Sequence, residues 1–394
     1  MPRIRLAFVL LLALALAPTA TAGPGGGPLA PPDELGPWAV GRTTFELVDP
    51  SRDDRTLPVD LWYPVDAADA GGPASVYDLL FTGIESAVAF DSPPASAAGP
   101  FPLVVFSHGN DGIRFQSWFL MEHLASHGFV VAAPDHVGNT ALDILNPGTP
   151  FETRDRPLDI SLVITAMLAR SAAPGDALEG RIDPARVGVA GHSFGGFTTL
   201  AMAIGFEDVP PDPRVRAIMP MSPVSTFFSG AEIASIGVPT LLVGGTADTT
   251  TPIDPQTTFA WQNLTVRPRY RVDVVDAGHS SFTNICAIGD ALLDAGIPPA
   301  ILAFLLGNLE EGCSPDLIDI ERAHVLTNLY ATAYLKRNLE GDPRYSRYLT
   351  PATARKLGDV VWFRTPGCSA GVGLGAFAPI VLVIGLRRGA LGRG

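Results

Sequence analysis

From about residue 100 onward the chain repeats one pattern: a short continuous apolar run, a turn rich in Gly, Pro or Asp, then a stretch with apolar residues three and four apart. The runs Leu103–Phe106, Phe129–Ala133, Val187–Ala190, Arg216–Met219, Thr240–Val243 and Arg271–Val275 predict strands buried on both faces. Between them, Phe115–His127 has helical spacing with Gly128 as its stop, and Phe197–Ile204 predicts another helix. Pro157 opens a further helix whose Leu158, Leu162, Ala166 and Ala169 share one face. Strands separated by helices predict an α/β fold: one domain over about 38–345, with a mostly parallel central sheet and helices on both faces. Upstream, Thr43–Val48 and Leu57–Tyr63 alternate around the polar turn Asp49–Arg55 and predict an antiparallel hairpin at a sheet edge. The stretch Ala67–Gly99 is mostly Ala, Gly, Pro and Ser apart from Tyr77–Phe90, and reads as a loop crossing the surface. Between Met219 and Thr240 there is no room for a large lid, which predicts a site open to solvent.

The two ends break the pattern. Arg3 and Arg5, the apolar Leu6–Ala17 and the small residues Ala20-Thr21-Ala22 predict a secretory leader over 1–22, its apolar run too short to span a bilayer. Gly23–Pro37 reads as a linker. From Ala370 to Leu386 there is no charge, and Arg387, Arg388 and Arg393 follow, so 365–394 reads as a C-terminal sorting or anchoring tail that could attach the chain to a membrane or cell surface. A buried terminal strand is the plainer alternative.

Composition narrows the function. An apolar content of 47% in 394 residues supports a large core and excludes disorder. A net charge of −13 argues against nucleic acid as a partner. Of three cysteines, Cys286 and Cys313 flank one loop-rich segment and are the expected disulfide in an exported chain, with buried free thiols as the alternative. No Cys or His spacing suggests a metal, and no organic cofactor is implied.

The chemistry centres on Gly191-His192-Ser193-Phe194-Gly195-Gly196, reached directly from the strand Val187–Ala190 and running into an apolar helix. Strand, G-x-S-x-G and helix together form the context of a nucleophile elbow, in which a serine sits on a strained turn and its neighbours must lack side chains. A serine hydroxyl needs a base, and the base needs a group to hold its tautomer. In this fold they follow in the order Ser, acid, His, on loops after later strands. Asp248 lies just past Leu241–Gly245, with Asp254 and Asp276 in reserve. Of the seven histidines, only His279 follows the acid on a loop after a strand. The oxyanion of a tetrahedral intermediate needs backbone donors. One is expected from the amide of Phe194, the other from the loop after Leu103–Phe106, at Asn110.

With Phe101–Gly109, Leu124–Ala132 and Gly191–Gly196 in view, the sequence resembles the α/β-hydrolases, and among them the plasma-type platelet-activating-factor acetylhydrolases and bacterial dienelactone-hydrolase-like proteins. The likeness covers roughly 40–340. It implies a Ser193 and His279 pair and an oxyanion hole from Asn110 and Phe194. Two departures stand out. Plasma-type acetylhydrolases carry the acid one strand earlier, where Met221-Ser222-Pro223 offers none, so Asp248 follows the dienelactone-hydrolase placement. Dienelactone hydrolases use a cysteine nucleophile, and Ser193 stands there instead. The expected activity is therefore hydrolysis of small-molecule or lipid esters, of short or oxidised acyl chains or polyester fragments, through an acyl-enzyme. A peptidase or amidase of the same fold, or a surface-anchored binding protein, is the alternative. The apolar Pro298–Leu306 is expected as a flap over the acyl pocket or as a plain packing helix.

Overall fold

A computed structural model describes residues 29–143, 148–299, 301–302 and 309–364. The leader, the C-terminal tail with Cys368, and most of Pro298–Leu306 lie outside the described residues.

Eleven strands form one sheet in the order β11-β10-β9-β8-β7-β5-β6-β2-β1-β4-β3. Its centre is parallel: β5 (Phe101–Ser107), β6 (Val130–Pro134), β7 (Ile182–His192), β8 (Val215–Met221), β9 (Thr240–Gly245) and β10 (Arg269–Val274). Continuous apolar runs suit this position because both faces are covered. Along β5, Leu103 and Val105 pack with Ile160, Val163, Phe197 and Leu200 in one layer, while Val104 and Phe106 pack with Leu120, Met121, Leu124 and Leu326 in the other. The first layer is carried by α2 (Asp155–Ala172) and α3 (Phe194–Ile204), the second by α1 (Trp118–Ser126) and the long helix Ile320–Asn338. The connection between Met221 and Thr240 holds only the five-residue α4 (Gly230–Ala234).

Three expectations need correction. The hairpin of β1 (Ala39–Asp49) and β2 (Arg55–Val65) forms as predicted but is not the sheet edge. Outside it lie β4 (Gly83–Asp91), parallel to β1, and β3 (Ala74–Asp78), both from the stretch read as a surface loop. The varied residues Tyr77–Phe90 supply nearly all of β4 and the end of β3: Tyr77 is fully buried and donates to Glu122, which small-residue flanks obscured. The core face of α2 is also not the predicted one. Ile160, Val163, Ile164 and Met167 are buried, Ala169 is exposed, and the same buried face carries Arg156 and Asp159. Charge at these two positions broke the apolar stripe, so its half-buried flank was the more regular signal.

Two segments outside the predicted domain join the fold. Backbone carbonyls of Pro32 and Glu34 bond the rings of His123 and His127 at 3.0 and 2.8 Å, so residues 29–37 are packed down. At the other end β11 (Val360–Arg364) pairs antiparallel with β10, and the compact unit extends to Arg364.

Parallel register brings the carboxyl ends of the central strands together: Ser107 pairs Gly191, His192 pairs Met221, Met221 pairs Val243 and Gly245 pairs Val274. The direction in which strands are added reverses between the parallel neighbours β5 and β7, one leading outward through β6 and the other through β8. In open α/β sheets such a switch point opens a crevice beyond the strand ends.

Candidate active site

Four of the sequence-predicted site residues follow the ends of central strands at this crevice, and Phe194 opens α3 directly after Ser193. Asn110 follows β5, Ser193 follows β7, Asp248 follows β9 and His279 follows β10.

Ser193 caps α3 with φ +58° and ψ −117°, a region side chains rarely enter. The turn is held from both sides. Ser193 N–H donates to Met221 O at 2.9 Å, and neighbouring backbone leaves no space for side chains. A Cβ on Gly191 would stand 2.3 Å from Gly195 O, one on Gly195 1.9 Å from Ser107 O, and one on Gly196 2.7 Å from Pro223 Cα.

Asp248 and His279 form a buried pair, Nδ1 to Oδ2 at 3.0 Å. Burial alone would raise the Asp248 carboxyl, but the hydrogen bond and charge of His279 and the Thr251 amide outweigh it and hold the pKa below the usual carboxylate value. Thr251, which the sequence did not single out, braces the pair: its N–H donates to Asp248 Oδ1 at 2.7 Å, and its hydroxyl lies 2.9 Å from Asp248 Oδ2 and 3.1 Å from His279 Nδ1. No hydrogen bond joins Ser193 Oγ to His279 Nε2 in this geometry. Such contacts are commonly long until substrate tightens them.

The loop after β5 lies against the serine, since a Cβ on Gly109 would be 3.4 Å from Ser193 Cβ. Its shape comes from residues with no motif. The buried Arg156 donates to the carbonyl of His108, to Asn139 Oδ1 and to Thr198 Oγ1. Asn139 Nδ2 in turn donates to Asn110 Oδ1 at 2.8 Å and Asp111 Oδ1 at 3.2 Å. Burial pulls the Arg156 guanidinium down to about 9, still charged at neutral pH.

Gln116 and His192 tie this loop to the backbone at His279. Gly109 N–H donates to Gln116 Oε1 at 3.0 Å, Gln116 Nε2 lies 3.2 Å from His192 Nδ1, and His192 Nε2 lies 2.8 Å from the His279 carbonyl. The bonds fix the roles: Gln116 donates to His192 Nδ1, and His192 donates through Nε2. This arrangement needs a neutral His192, and burial, helped by the neighbouring His279, holds its pKa at about 3.

A second Ser-His-Asp array sits below the first. Ser107 Oγ is 2.9 Å from His136 Nε2, and His136 Nδ1 is 2.9 Å from Asp159 Oδ2. All three are 0% exposed, so no substrate reaches Ser107. Burial, then the cations Arg156, Arg55 and Arg52, push His136 well below its ordinary pKa, which suits a fixed bracket and not a proton acceptor. Hydrogen bonding alone would favour this array, since its serine is bonded to its histidine, but of the two serines only Ser193 keeps any exposure, at 7%.

Beside the serine is an aromatic surface. Phe194 and Phe197 stack at 5.1 Å, Phe227 packs on them at 6.1 and 5.1 Å, and Phe227 is 53% exposed. Asp248, His279 and Glu311 place possible ligand atoms within 4.8 Å of one another. Their oxygens and nitrogen are already engaged in hydrogen bonds within the group's own loops. Cys286 and Cys313 form the expected disulfide.

Sheet order, crossovers and the serine turn define an α/β-hydrolase fold. Residues 92–290 match the PETase (PET hydrolase-like) family, to which the chain belongs. Cutinase 2 of Thermobifida cellulosilytica is 29% identical over 268 residues, covering 67% of this chain and 79% of its own length. The bis(hydroxyethyl) terephthalate hydrolase of Streptomyces coelicolor is 27% identical over 286 residues, 71% of this chain and 72% of its own. Among solved structures, a ferulic acid esterase from Streptomyces cinnamoneus superposes with a TM-score of 0.62 at 27% identity, over 83% of this chain and 96% of that one. The superfamily expected from the sequence holds, and the chain is a carboxylic ester hydrolase.

Proposed function

We propose that this protein hydrolyses esters of aromatic acids and polyester fragments through an acyl-enzyme on Ser193. The observation that carries the assignment is the serine at φ +58°, on the same strand-end crevice as a buried Asp248 and His279 pair at 3.0 Å. With its Nδ1–H committed to Asp248, His279 has the Nε2 lone pair to accept the Ser193 proton. It returns that proton to the leaving alcohol, then activates water for deacylation. The amides of Phe194 and Asn110 stabilise the oxyanion.

The aromatic acyl group follows from two sources. The exposed Phe227 with Phe194 offers a flat apolar surface beside the nucleophile. The similar proteins are named for terephthalate and ferulate esters as well as cutin. Export fits the disulfide and the leader-like N-terminus. The expected Ser193, Asp248, His279, Asn110 and Phe194 roles all belong to this reading, as does surface attachment through the 365–394 tail.

The test is hydrolysis of p-nitrophenyl esters and bis(2-hydroxyethyl) terephthalate by the protein and by Ser193→Ala. Loss of the nucleophile should lower kcat on the order of a millionfold. Unchanged turnover in Ser193→Ala would remove the assignment, and activity on amides but not esters would favour the peptidase reading.

A further inference from the structure

Glu311 is a carboxylate that the mechanism above leaves without a role, yet it sits across the join between the acid and the base. It lies in the helical turn Glu310–Cys313, which the disulfide to Cys286 ties to the start of the helix Ile285–Asp294. One oxygen accepts from the hydroxyls of Thr249 and Thr250, the latter at 3.1 Å. The other accepts three main-chain amides: Thr249 at 3.3 Å, Thr250 at 3.4 Å and His279 at 3.3 Å. Thr249 and Thr250 are the residues between Asp248 and its brace Thr251. One side chain therefore holds both loops whose relative position sets the 3.0 Å bond from His279 to Asp248.

The turn is built for this approach. A Cβ on Gly278 would stand 2.2 Å from Glu311 O, and one on Gly312 would stand 3.0 Å from Ser280 Cβ. Farther along, Ile318 N–H donates to Asp276 O at 2.9 Å, so the turn is pinned on both sides of the base.

We propose that Glu311 is a positioning residue: presented by the disulfide-bonded turn, it clamps the Asp248 and His279 loops together and so sets proton transfer at Ser193. This rests on the assignment of Ser193, Asp248 and His279 above. Amides accepted by one carboxylate oxygen fix backbone, and a misplaced base by even a fraction of an ångström slows proton transfer without changing how the ester is bound. The role predicts a loss in kcat with KM unchanged.

The two informative variants are Glu311→Asp and Glu311→Gln. Aspartate keeps the charge but is one methylene short of the two loops. Glutamine keeps the length: its oxygen can accept the three amides while its NH2 donates to the threonine hydroxyls, which act as acceptors as readily as donors. Glu311→Asp should lower kcat roughly tenfold on a soluble ester with KM within about twofold, and Glu311→Gln should keep most of the wild-type kcat, both with melting temperatures close to the parent's. A Glu311→Asp kcat within twofold of wild type, or a Glu311→Gln kcat as low as that of Glu311→Asp, would overturn the proposal. Ser193→Ala run alongside separates the failures. If it retains activity, the parent assignment falls and this one with it; if it is inactive while Glu311→Asp matches wild type, only the clamp is wrong.

Discussion

Asn139 shows how a residue outside any motif can control a motif residue. Its side chain bridges the buried Arg156 to Asn110 and Asp111, adding to the direct Arg156 bond to the His108 carbonyl that anchors the loop after β5 to α2. Removing an oxyanion donor outright costs about 3 kcal/mol of transition-state stabilisation. Asn139→Ala leaves the donor present but loosely held, so the expected loss is smaller, about tenfold in kcat, with KM little changed. Steady-state kinetics on a soluble ester checks this, and an equal rise in KM with constant kcat would place Asn139 in substrate binding instead. The same residue-level logic explains why Ser107, His136 and Asp159 do no chemistry: complete burial forces them to satisfy one another.

At the level of elements, the junction of β7 and α3 is a steric device. Strand and helix can meet at Ser193 only because residues 191 and 195 lack side chains: a Cβ at 191 would run into Gly195 O, and one at 195 into Ser107 O of β5. Gly195→Ala must push a Cβ into Ser107 O, 1.9 Å away, and no rotamer relieves a backbone contact. The expected result is failure to accumulate as folded protein, or a melting temperature lower by more than about 10 °C. Gly237 is the control, because a Cβ there meets nothing within 4 Å, and Gly237→Ala should melt within a few degrees of the parent. Thermal denaturation of the pair, followed by circular dichroism, measures both. Equal melting temperatures would mean that the β7–α3 turn relaxes.

For the whole molecule, acid stability is set by histidines. Six of the seven, His108, His123, His127, His136, His192 and His324, are buried and held below 6.5, first by burial, His123 and His324 at about 4 and His127 and His192 at about 3. Their folded pKa lies below the unfolded one, so between the two the unfolded chain binds more protons. Stability is then fully present above about pH 6.5 and is lost as pH falls toward 4, by up to about 1.4 kcal/mol per pH unit for each histidine. The buried carboxyls Glu122, Asp135 and Asp273, which burial pushes up, act in the opposite sense but are fewer. The depressed Asp248 adds its own loss only below its unfolded value of 3.8. Chemical denaturation at pH 5, 6, 7 and 8 should show stability rising to about pH 6.5 and then flattening. A flat profile from 5 to 8 would mean that these rings are hydrated or protonated in the fold.

What the sequence determined by itself was whatever local pattern encodes. Continuous apolar runs set the parallel strands, G-x-S-x-G set the serine turn, and strand order along the chain set which loops carry Asp248 and His279. Only the tertiary structure decided the rest, because it depends on contacts between residues far apart in the chain. Glu311 reaches Thr249 and His279 across 62 and 32 positions, Arg156 reaches His108 across 48, and Gln116 reaches His192 across 76. Such side chains have no periodicity of their own, and single polar residues buried among apolar ones look like noise until a partner is placed against them. The outermost strands β4 and β3 were hidden for a related reason: they are half solvated, so their composition approaches that of a loop, and pairing of β4 with β1 and of β3 with β4 is what makes them strands.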